Sequence, residues 1–379
     1  MILVFCTIFF IINSTFPLVQ GLQSDSETFV LPLKQEKYSS LETLVLPSSF
    51  SWRDINGTDF TTPIRNQRPY PSCETFALVA AVETMVQYNV GYPFGCDLSE
   101  AHLFFYSGGN IDWGSYPEND TRFLKEYGVP DEACWPYPQD KYQYPLNTTS
   151  PDWKNRTVKI SDWCYLPDDP AAIKTALVTN GPVPSYFLVY EDFLYHKNGI
   201  YQHRWGKARG AHYMAIVGYN DDPGYWIVKN SWGTKWGEDG WFRMAYDADL
   251  IADWYGPDTG VMYIDGVYGN LKPDAPKVYF ETPRYYHTYI FGIESSTILK
   301  KLPIQKAAAR ILGPLSVDVT VENTNTIEFF IDDVSQYVDT KAPFSWDLEA
   351  TQGLHTLTVR AVNDLGIASL AIEDIYLVF

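Results

Sequence analysis

The chain has 379 residues, of which 46% are hydrophobic, 16% aromatic and 20% charged. At roughly 100–200 residues per domain, this length corresponds to two domains or one large one, and the aromatic content excludes a disordered or low-complexity protein. The net charge of −18 argues against nucleic acid as a partner, because there is no cationic surplus to neutralise phosphates.

The amino terminus has the pattern of an export signal. Residues 1–12 are almost entirely apolar, and this run is too short to span a bilayer, which needs about 20 residues. Val19 and Gly21 are the small residues that precede a signal-peptide cleavage site. We therefore expect 1–21 to be a signal peptide, with an uncleaved anchor as the alternative, and 22–45 to be a short pro-segment or lead-in. The mature protein is expected to be secreted or held at the cell surface, without membrane insertion.

The rest of the chain divides into two regions that differ in their pattern of apolar and polar residues. Residues 46–271 mix helical and strand patterns and are rich in Trp and Tyr, which predicts an α+β domain. Residues 272–276, with the sequence KPDAP, read as a linker. Beyond it, segments such as 316–322 and 355–361 alternate apolar and polar residues, so we expect 277–379 to form an all-β sandwich.

Cys73 stands at the start of a largely apolar segment that runs to about Val90 and ends at Gly91. This pattern predicts a buried helix. A thiol at a helix N-terminus lies at the positive end of the helix dipole, which favours the thiolate. Cysteine is also a common buried residue, so this segment alone leaves a core role open.

Two further polar residues lie on a predicted hairpin. His212 leads the apolar run HYMAIVGY, and Asn230 follows the strand YWIVK after a turn at 220–224. If Tyr219 pairs with Tyr225, Asn230 becomes a diagonal neighbour of His212, about 7–8 Å away along the backbone and within reach of a side-chain hydrogen bond. Taken singly, a core histidine and a polar residue at a strand end remain the alternatives.

Together these segments resemble the papain family of cysteine peptidases. His and Asn follow the Cys by 139 and 157 residues, close to the family spacing of about 130–150. The resemblance spans 46–269 and is carried mainly by AHYMAIVGYN and WIVKNSWGTKWGEDGWFRM. It implies a two-lobed papain-like fold, with a helical lobe and an antiparallel β lobe. It also implies endopeptidase hydrolysis of protein or peptide substrates without a metal or organic cofactor.

The resemblance also implies a role for each matching residue. Cys73 would be the nucleophile, held as a thiolate beside the imidazolium of His212, and Asn230 would orient the imidazole. The Gln67 side chain, six residues before the cysteine, would donate with the Cys73 backbone N–H to the oxyanion. Trp232 would cover the hydrogen bond between His and Asn and shield it from water.

The sequence departs from the family pattern around the nucleophile. The signature C-G-[SA]-C-[WY] reads YPSCE here. Tyr70 replaces a disulfide cysteine of the family, and 107–110 lacks the matching cysteine. Both partners of this disulfide are therefore absent, and no cysteine is left unpaired by the loss. Glu74 places a carboxylate beside the thiol, and like charge is expected to raise the pKa of Cys73. A catalytically inactive papain-fold binding or adhesion protein is therefore the alternative reading.

Four cysteines remain after removal of the signal. With Cys73 as the nucleophile, we expect Cys134 and Cys164 to form a disulfide and Cys96 to be left over.

The sequence IEFFIDD…APFSWDLEATQGLHTLTVRAVND near the carboxyl end resembles that of the immunoglobulin-like modules appended to secreted bacterial and archaeal enzymes. This resemblance implies an accessory module that contacts a cell surface, a polymer or a neighbouring protein, or that acts as a spacer.

Overall fold

A computed structural model describes residues 29–31, 45–138, 153–246, 248, 260–271, 276–284, 287–294, 308–363 and 368–378. Contacts divide the chain into two compact units. The first consists mainly of 28–129 and 157–271, and the second of 130–156 and 272–379. The expected signal peptide and most of the expected linker lie outside the described residues.

Four α-helices belong to the first unit: α1 (Cys73–Val90), α2 (Glu100–Tyr106), α3 (Pro117–Glu126) and α4 (Pro170–Thr179). In the described part of the chain, no helix combines the length and apolar character that crossing a bilayer requires.

A large sheet accompanies these helices. Its strands are β1 (Phe29–Leu31), β2 (Ser49–Ser51), β3 (Val129–Pro130), β4 (Thr157–Leu166), β5 (Val183–Tyr190), β6 (Ile200–Tyr201), β7 (Ala208–Asn220), β8 (Tyr225–Lys229), β9 (Trp241–Ala245) and β10 (Val261–Leu271). The order is β3-β4-β10-β5-β7-β8-β9-β6, and β1 and β2 pair with β10 and β7. Part of the expected lead-in is thus a short strand of the sheet, while the mixed α/β character follows the sequence-based expectation.

Helix α1 has the bounds that the sequence predicts. It begins at Cys73 and is buried on nearly every side over its first four turns. It ends where Gly91 takes a left-handed conformation with φ of 93° and donates its N–H to the carbonyls of Gln87 and Tyr88. The helix packs against β5, β7 and β10, which brings its amino-terminal cysteine to the sheet.

The predicted hairpin forms, but at the turn the observed register differs from the predicted one by one residue. Tyr225 pairs with Asn220 rather than Tyr219. A bulge between Ile216 and Gly218 then restores the expected register, so that the pairs nearer the site are those the sequence predicts. Within the bulge, the carbonyl of Val217 accepts a hydrogen bond from the backbone N–H of Trp52, the residue after β2.

The second unit contains two β-sheets. Its strands are β11 (Lys277–Thr282), β12 (Thr288–Ile290), β13 (Ile293–Glu294), β14 (Ala309–Leu312), β15 (Ser316–Glu322), β16 (Thr326–Ile331), β17 (Val334–Asp339), β18 (Phe344–Asp347), β19 (Gly353–Val362) and β20 (Ala368–Val378). One sheet has the order β11-β15-β18 and the other β13-β12-β14-β20-β19-β16-β17.

Residues from both sheets form one apolar core in this unit. Val317 and Phe344 of the smaller sheet belong to the same cluster as Phe329, Val359 and Ile375 of the larger one. The alternation read from the sequence has a direct counterpart in β20, where every second side chain is buried. The expected all-β character of this region is therefore observed.

The second unit also contains a segment that precedes much of the first unit in the chain. Arg156 is fully buried, forms a two-point ion pair with Asp131 (2.5 and 2.8 Å), and donates to the carbonyl of Ala368 at 3.3 Å. This guanidinium thus links Asp131 to β20, the strand that begins at Ala368.

The predicted Cys134–Cys164 disulfide is wrong. Cys134 is a reduced thiol in a buried 3₁₀ turn, where its Sγ lies 4.0 Å from the carboxylate of Asp131. Cys164 lies on β4 and takes part in a disulfide that does not involve Cys134. Cys96 is reduced and buried, as expected for the cysteine left over.

Candidate active site

His212, on β7, is held between two neighbours from the segment that follows β8. Its Nε2 is hydrogen-bonded to Oδ1 of Asn230 at 2.8 Å. The ring of Trp232 stacks on the imidazole with a centroid distance of 4.7 Å and an interplanar angle of 18°. The hydrogen bond inferred from the hairpin is therefore confirmed, and the indole covers the ring that makes it.

Ser231 connects this group to Gln67. The backbone N–H of Ser231 donates to Oδ1 of Asn230 at 2.7 Å, and its Oγ donates to Oε1 of Gln67 at 2.7 Å. The Gln67 backbone N–H in turn donates to the carbonyl of Ser231 at 2.9 Å. Ser231 thus fixes two side-chain amides: that of Asn230, which orients the imidazole, and that of Gln67, which is expected to face the oxyanion.

A buried polar layer supports the end of β8. The Lys229 ammonium donates to Oγ1 of Thr62 at 2.8 Å, and that hydroxyl donates to Glu83 of α1 at 2.5 Å. Burial lowers the pKa of Lys229 to about 8, while the charge of Glu83 acts in the opposite direction. Lys229 and Glu83 line a small pocket together with Asn230, and the hydrogen bonds through Thr62 connect the strand to the helix.

Cys73 lies at the other side of the site, at the first position of α1. Its thiol donates to Oε2 of Glu74 at 3.4 Å. A backbone hydrogen bond from Tyr213, the residue after His212, also reaches the sulfur and lowers its pKa. The structure thus brings the cysteine to the strand that carries His212, while the thiol proton is directed to the neighbouring carboxyl.

Glu74 is buried within a set of hydrogen-bond donors. The Tyr186 hydroxyl on β5 donates to Oε1 at 3.3 Å, and the backbone N–H of Ser115 donates to the same carboxyl group. Gly114 passes directly beside it, with a φ of 111° and a Cβ position that would lie 2.8 Å from the carbonyl of Pro71. Only glycine fits at this approach, so the loop is built to place donors around the carboxyl.

A second buried carboxyl lies behind the first. Asp120 of α3 accepts hydrogen bonds from Ser107 at 2.5 Å and Ser115 at 2.7 Å. Burial, with a smaller contribution from the charge of Glu74, raises the pKa of Asp120 to about 8 against the effect of the two serine hydrogen bonds. Ser115 therefore connects the two carboxyls, through its backbone to one and its hydroxyl to the other.

Electrostatics favour the neutral forms of the reacting groups in this geometry. Burial, followed by the charge of Glu74, raises the pKa of the Cys73 thiol well above its usual value. Burial lowers the pKa of His212 to about 4, against the effect of its bond to Asn230. While Glu74 contacts the sulfur, these effects favour a thiol and a neutral imidazole.

Aromatic packing takes the place of the disulfide whose cysteines are missing. Tyr70 is buried and contacts Phe104 and Phe105 of α2, with ring centroids 5.9 and 5.4 Å apart. These contacts hold the loop before the nucleophile to α2 without a covalent bond.

The structure therefore brings the predicted residues into one region of the first unit, and it adds several that the sequence analysis missed. Ser231 follows Asn230 directly, so its position in the motif was a usable signal. Tyr186, Ser115 and Asp120 carried no signal, because they come from three other parts of the chain. Among the described residues, no group of three or more His, Cys, Asp or Glu side chains could hold a metal ion.

Known proteins agree with this arrangement. Residues 46–261, more than half of the chain, match the model of the family described as papain family cysteine protease. A cathepsin B-like protein CP3 of Giardia intestinalis is 32% identical over 250 residues, covering 54% of this chain and 78% of that protein. Cathepsin B-like CP2 of the same organism is 33% identical over 219 residues, covering 52% and 69%.

The fold has a counterpart among solved structures. A digestive procathepsin L2 proteinase from the larval midgut of Tenebrio molitor aligns with a TM-score of 0.50 at 24% identity, over 59% of this chain and 70% of that one. The fold and the family match define a cysteine peptidase, a hydrolase of peptide bonds. The chain belongs to the papain family.

Proposed function

We propose that this peptidase is exported and that it cleaves peptide bonds with Cys73 as nucleophile and His212 as acid and base. The observation that carries the proposal is the 2.8 Å hydrogen bond from His212 to Asn230 beneath the indole of Trp232. An imidazole that is oriented by a third group and screened from water is what nucleophilic catalysis by a thiol requires.

The hydrogen bond also selects a tautomer. Because the Asn230 side-chain oxygen only accepts, the proton of neutral His212 lies on Nε2 and leaves the lone pair on Nδ1. In the proposed reaction, Nδ1 takes the thiol proton from Cys73, and the thiolate attacks the substrate carbonyl. The same nitrogen then protonates the leaving amine and afterwards activates the water that hydrolyses the acyl-enzyme.

Gln67 is proposed to stabilise the tetrahedral oxyanion together with the backbone N–H of Cys73. Its Oε1 is engaged by Ser231, which fixes the orientation of the amide. Its Nε2 donates to the carbonyl of Tyr70 over a long distance of 3.4 Å, and we propose that it turns to the oxyanion when substrate binds. A donor of this kind is worth roughly 10²- to 10³-fold in rate.

Hydrolysis of a fluorogenic peptide tests the assignment of the nucleophile. Replacing Cys73→Ser should reduce turnover below detection, because a neutral hydroxyl is a far weaker nucleophile than a thiolate. Cys96→Ser is the matched control, since this buried cysteine lies outside the site. Turnover that survives in Cys73→Ser would contradict the assignment of the nucleophile, and absence of turnover in the wild type would favour the inactive binding protein.

We also propose cleavage after Gly21 and an immunoglobulin-like role for the second unit. The apolar run of residues 1–12 supports export, and the two sheets with a shared core support a sandwich module. Contact with a cell surface or an insoluble polymer is the proposed use of this module. Sequencing the mature amino terminus and co-sedimenting the full chain with insoluble polysaccharide test these points. A chain that begins at Met1, or that stays wholly in the supernatant, would contradict them.

A further inference from the structure

We propose that Glu74 is a positioning residue that confines the reactive thiolate–imidazolium pair to acidic solution, by competing with His212 for the proton and the orientation of the Cys73 thiol. This inference rests on the proposed function and adds a residue to it. It assigns to the carboxyl next to the nucleophile a part in the proton equilibrium of the site.

The first support is the direct contact between the two side chains. The thiol donates to Oε2 of Glu74 at 3.4 Å, and among the described residues this carboxyl is its side-chain hydrogen-bond partner. A thiol held in this way keeps its proton and is directed to the carboxyl. To react, the Cys73 side chain must leave the carboxyl and give its proton to Nδ1 of His212, keeping the electron pair on sulfur.

The second support is the construction around the carboxyl. Tyr186 and Ser115 donate to Glu74 from two other segments, and a Cβ at Gly114 would lie 3.7 Å from Oε2 of the carboxyl and 2.8 Å from the carbonyl of Pro71. A carboxyl that had no function at this position could turn to solvent, yet this one is 93% buried among fixed donors. The site therefore holds Glu74 in contact with the sulfur.

The third support is electrostatic. An ionised Glu74 at this distance repels a thiolate strongly, whereas the protonated acid has no net charge and can donate its O–H to sulfur. Burial raises the pKa of Glu74 to about 7, so the change of charge falls in the neutral range. Below that pH the ion pair of Cys73 and His212 is tolerated, and above it the pair reverts to thiol and neutral imidazole.

The groups that face Glu74 do not supply a compensating cation. They are Cys73 on its own helix, Tyr186 on β5, Tyr213 on β7 and Asp120 on α3, all acids or phenols. Asp120 adds repulsion once it ionises, which strengthens the same trend. Burial is thus what favours the protonated carboxyl, whereas the hydrogen bonds from Cys73, Tyr186 and the backbone stabilise its anion in part.

The test is the rate of alkylation of Cys73 by iodoacetamide in the full-length mature protein from pH 5 to 8, with the Cys73 peptide quantified by mass spectrometry. We expect the wild type to react about tenfold more slowly at pH 8 than at pH 6, because the protonated fraction of a carboxyl with a pKa of about 7 falls about tenfold over this range. Glu74→Gln should react at the same rate at both values of pH. The surface variant Asp162→Asn should follow the wild type.

A second variant reports on the same carboxyl without removing it. Tyr186→Phe deletes a donor that stabilises the anion of Glu74, so the carboxyl holds its proton to higher pH. The midpoint of the decline should therefore move upward by up to about one pH unit. A purely structural role for Tyr186 would change the rate or the stability but leave the midpoint in place.

The outcomes separate this inference from the function on which it rests. Fast labelling at pH 6 that depends on His212, with superimposable profiles for wild type and Glu74→Gln, would overturn the inference and leave the peptidase mechanism standing. Labelling that begins only above pH 8 and is unchanged in His212→Ala would overturn the mechanism itself.

Discussion

The Cys73 sulfur lies between two different environments, one on the side of the sheet and one on the side of helix α1. On the sheet side, His212 is bonded to Asn230 and covered by Trp232, and every contact favours an imidazole ready to take a proton. On the helix side, the sulfur meets the buried carboxyl of Glu74, which favours a thiol that keeps its proton. The same nucleophile is thus prepared for ionisation by one side and held neutral by the other, and the pH decides between them.

The sheet side should be the more sensitive to substitution. Asn230→Ala removes the acceptor that fixes the tautomer of His212 and the bond that raises its pKa. We expect kcat/KM for a peptide substrate to fall by about 10²-fold, in the range reported for general acid–base groups. The variant Asn180→Ala, at a half-buried position after α4, is the control. A loss of less than about threefold for Asn230→Ala would show that the stacking indole alone orients the ring.

On the helix side, the Glu74 carboxyl should make the free energy of unfolding depend on pH. The pKa of Glu74 is about 7 in the folded protein and near 4.5 when unfolded, so the folded state loses stability as pH rises from about 4.5 to 7. Glu74→Gln should remove this loss, which amounts to about 2–4 kcal/mol. Urea unfolding at pH 4 and pH 8 measures it, with Asp162→Asn as the control. Equal pH dependence in Glu74→Gln and wild type would mean that the carboxyl is ionised at both values of pH.

The smallest effect is expected where the sheet side contacts the oxyanion residue. Ser231→Ala removes the hydroxyl that holds Oε1 of Gln67 but leaves the backbone bond to Asn230 in place. We expect kcat/KM to fall by roughly five- to tenfold, the value of a single neutral hydrogen bond of about 1 kcal/mol. The pH profile of alkylation should stay as in the wild type, since the Cys73 and Glu74 contacts are untouched. A shift of that profile would show that the two sides are not independent.

The sheet side could be predicted from the sequence because its residues lie close together in the chain. A turn and two strands determine which side chains share a face, so the bond between His212 and Asn230 follows from pairing. The predicted register at the turn was nevertheless off by one residue. A bulge at Val217 compensates, and the carbonyl of Val217 accepts a hydrogen bond from Trp52, which lies far away in the chain.

The helix side could be predicted only in part. The position of Glu74 beside the nucleophile indicated a raised thiol pKa, and the structure agrees in direction. The donors Tyr186 and Ser115 come from a strand and a loop whose packing no local pattern specifies. The incorrect Cys134–Cys164 disulfide has the same origin, because the sequence does not reveal which thiols are enclosed by their own local turns.

The central claim is that His212 activates Cys73 despite the carboxyl beside it. Its most direct test is the rate of iodoacetamide labelling of Cys73 at pH 6, compared between the wild type and His212→Ala. The account predicts rapid labelling of the wild type and a loss of at least about 10²-fold in the variant, because an isolated buried thiol stays protonated at this pH. Equal and slow labelling of both proteins would contradict it, since the cysteine would then behave as an ordinary buried thiol.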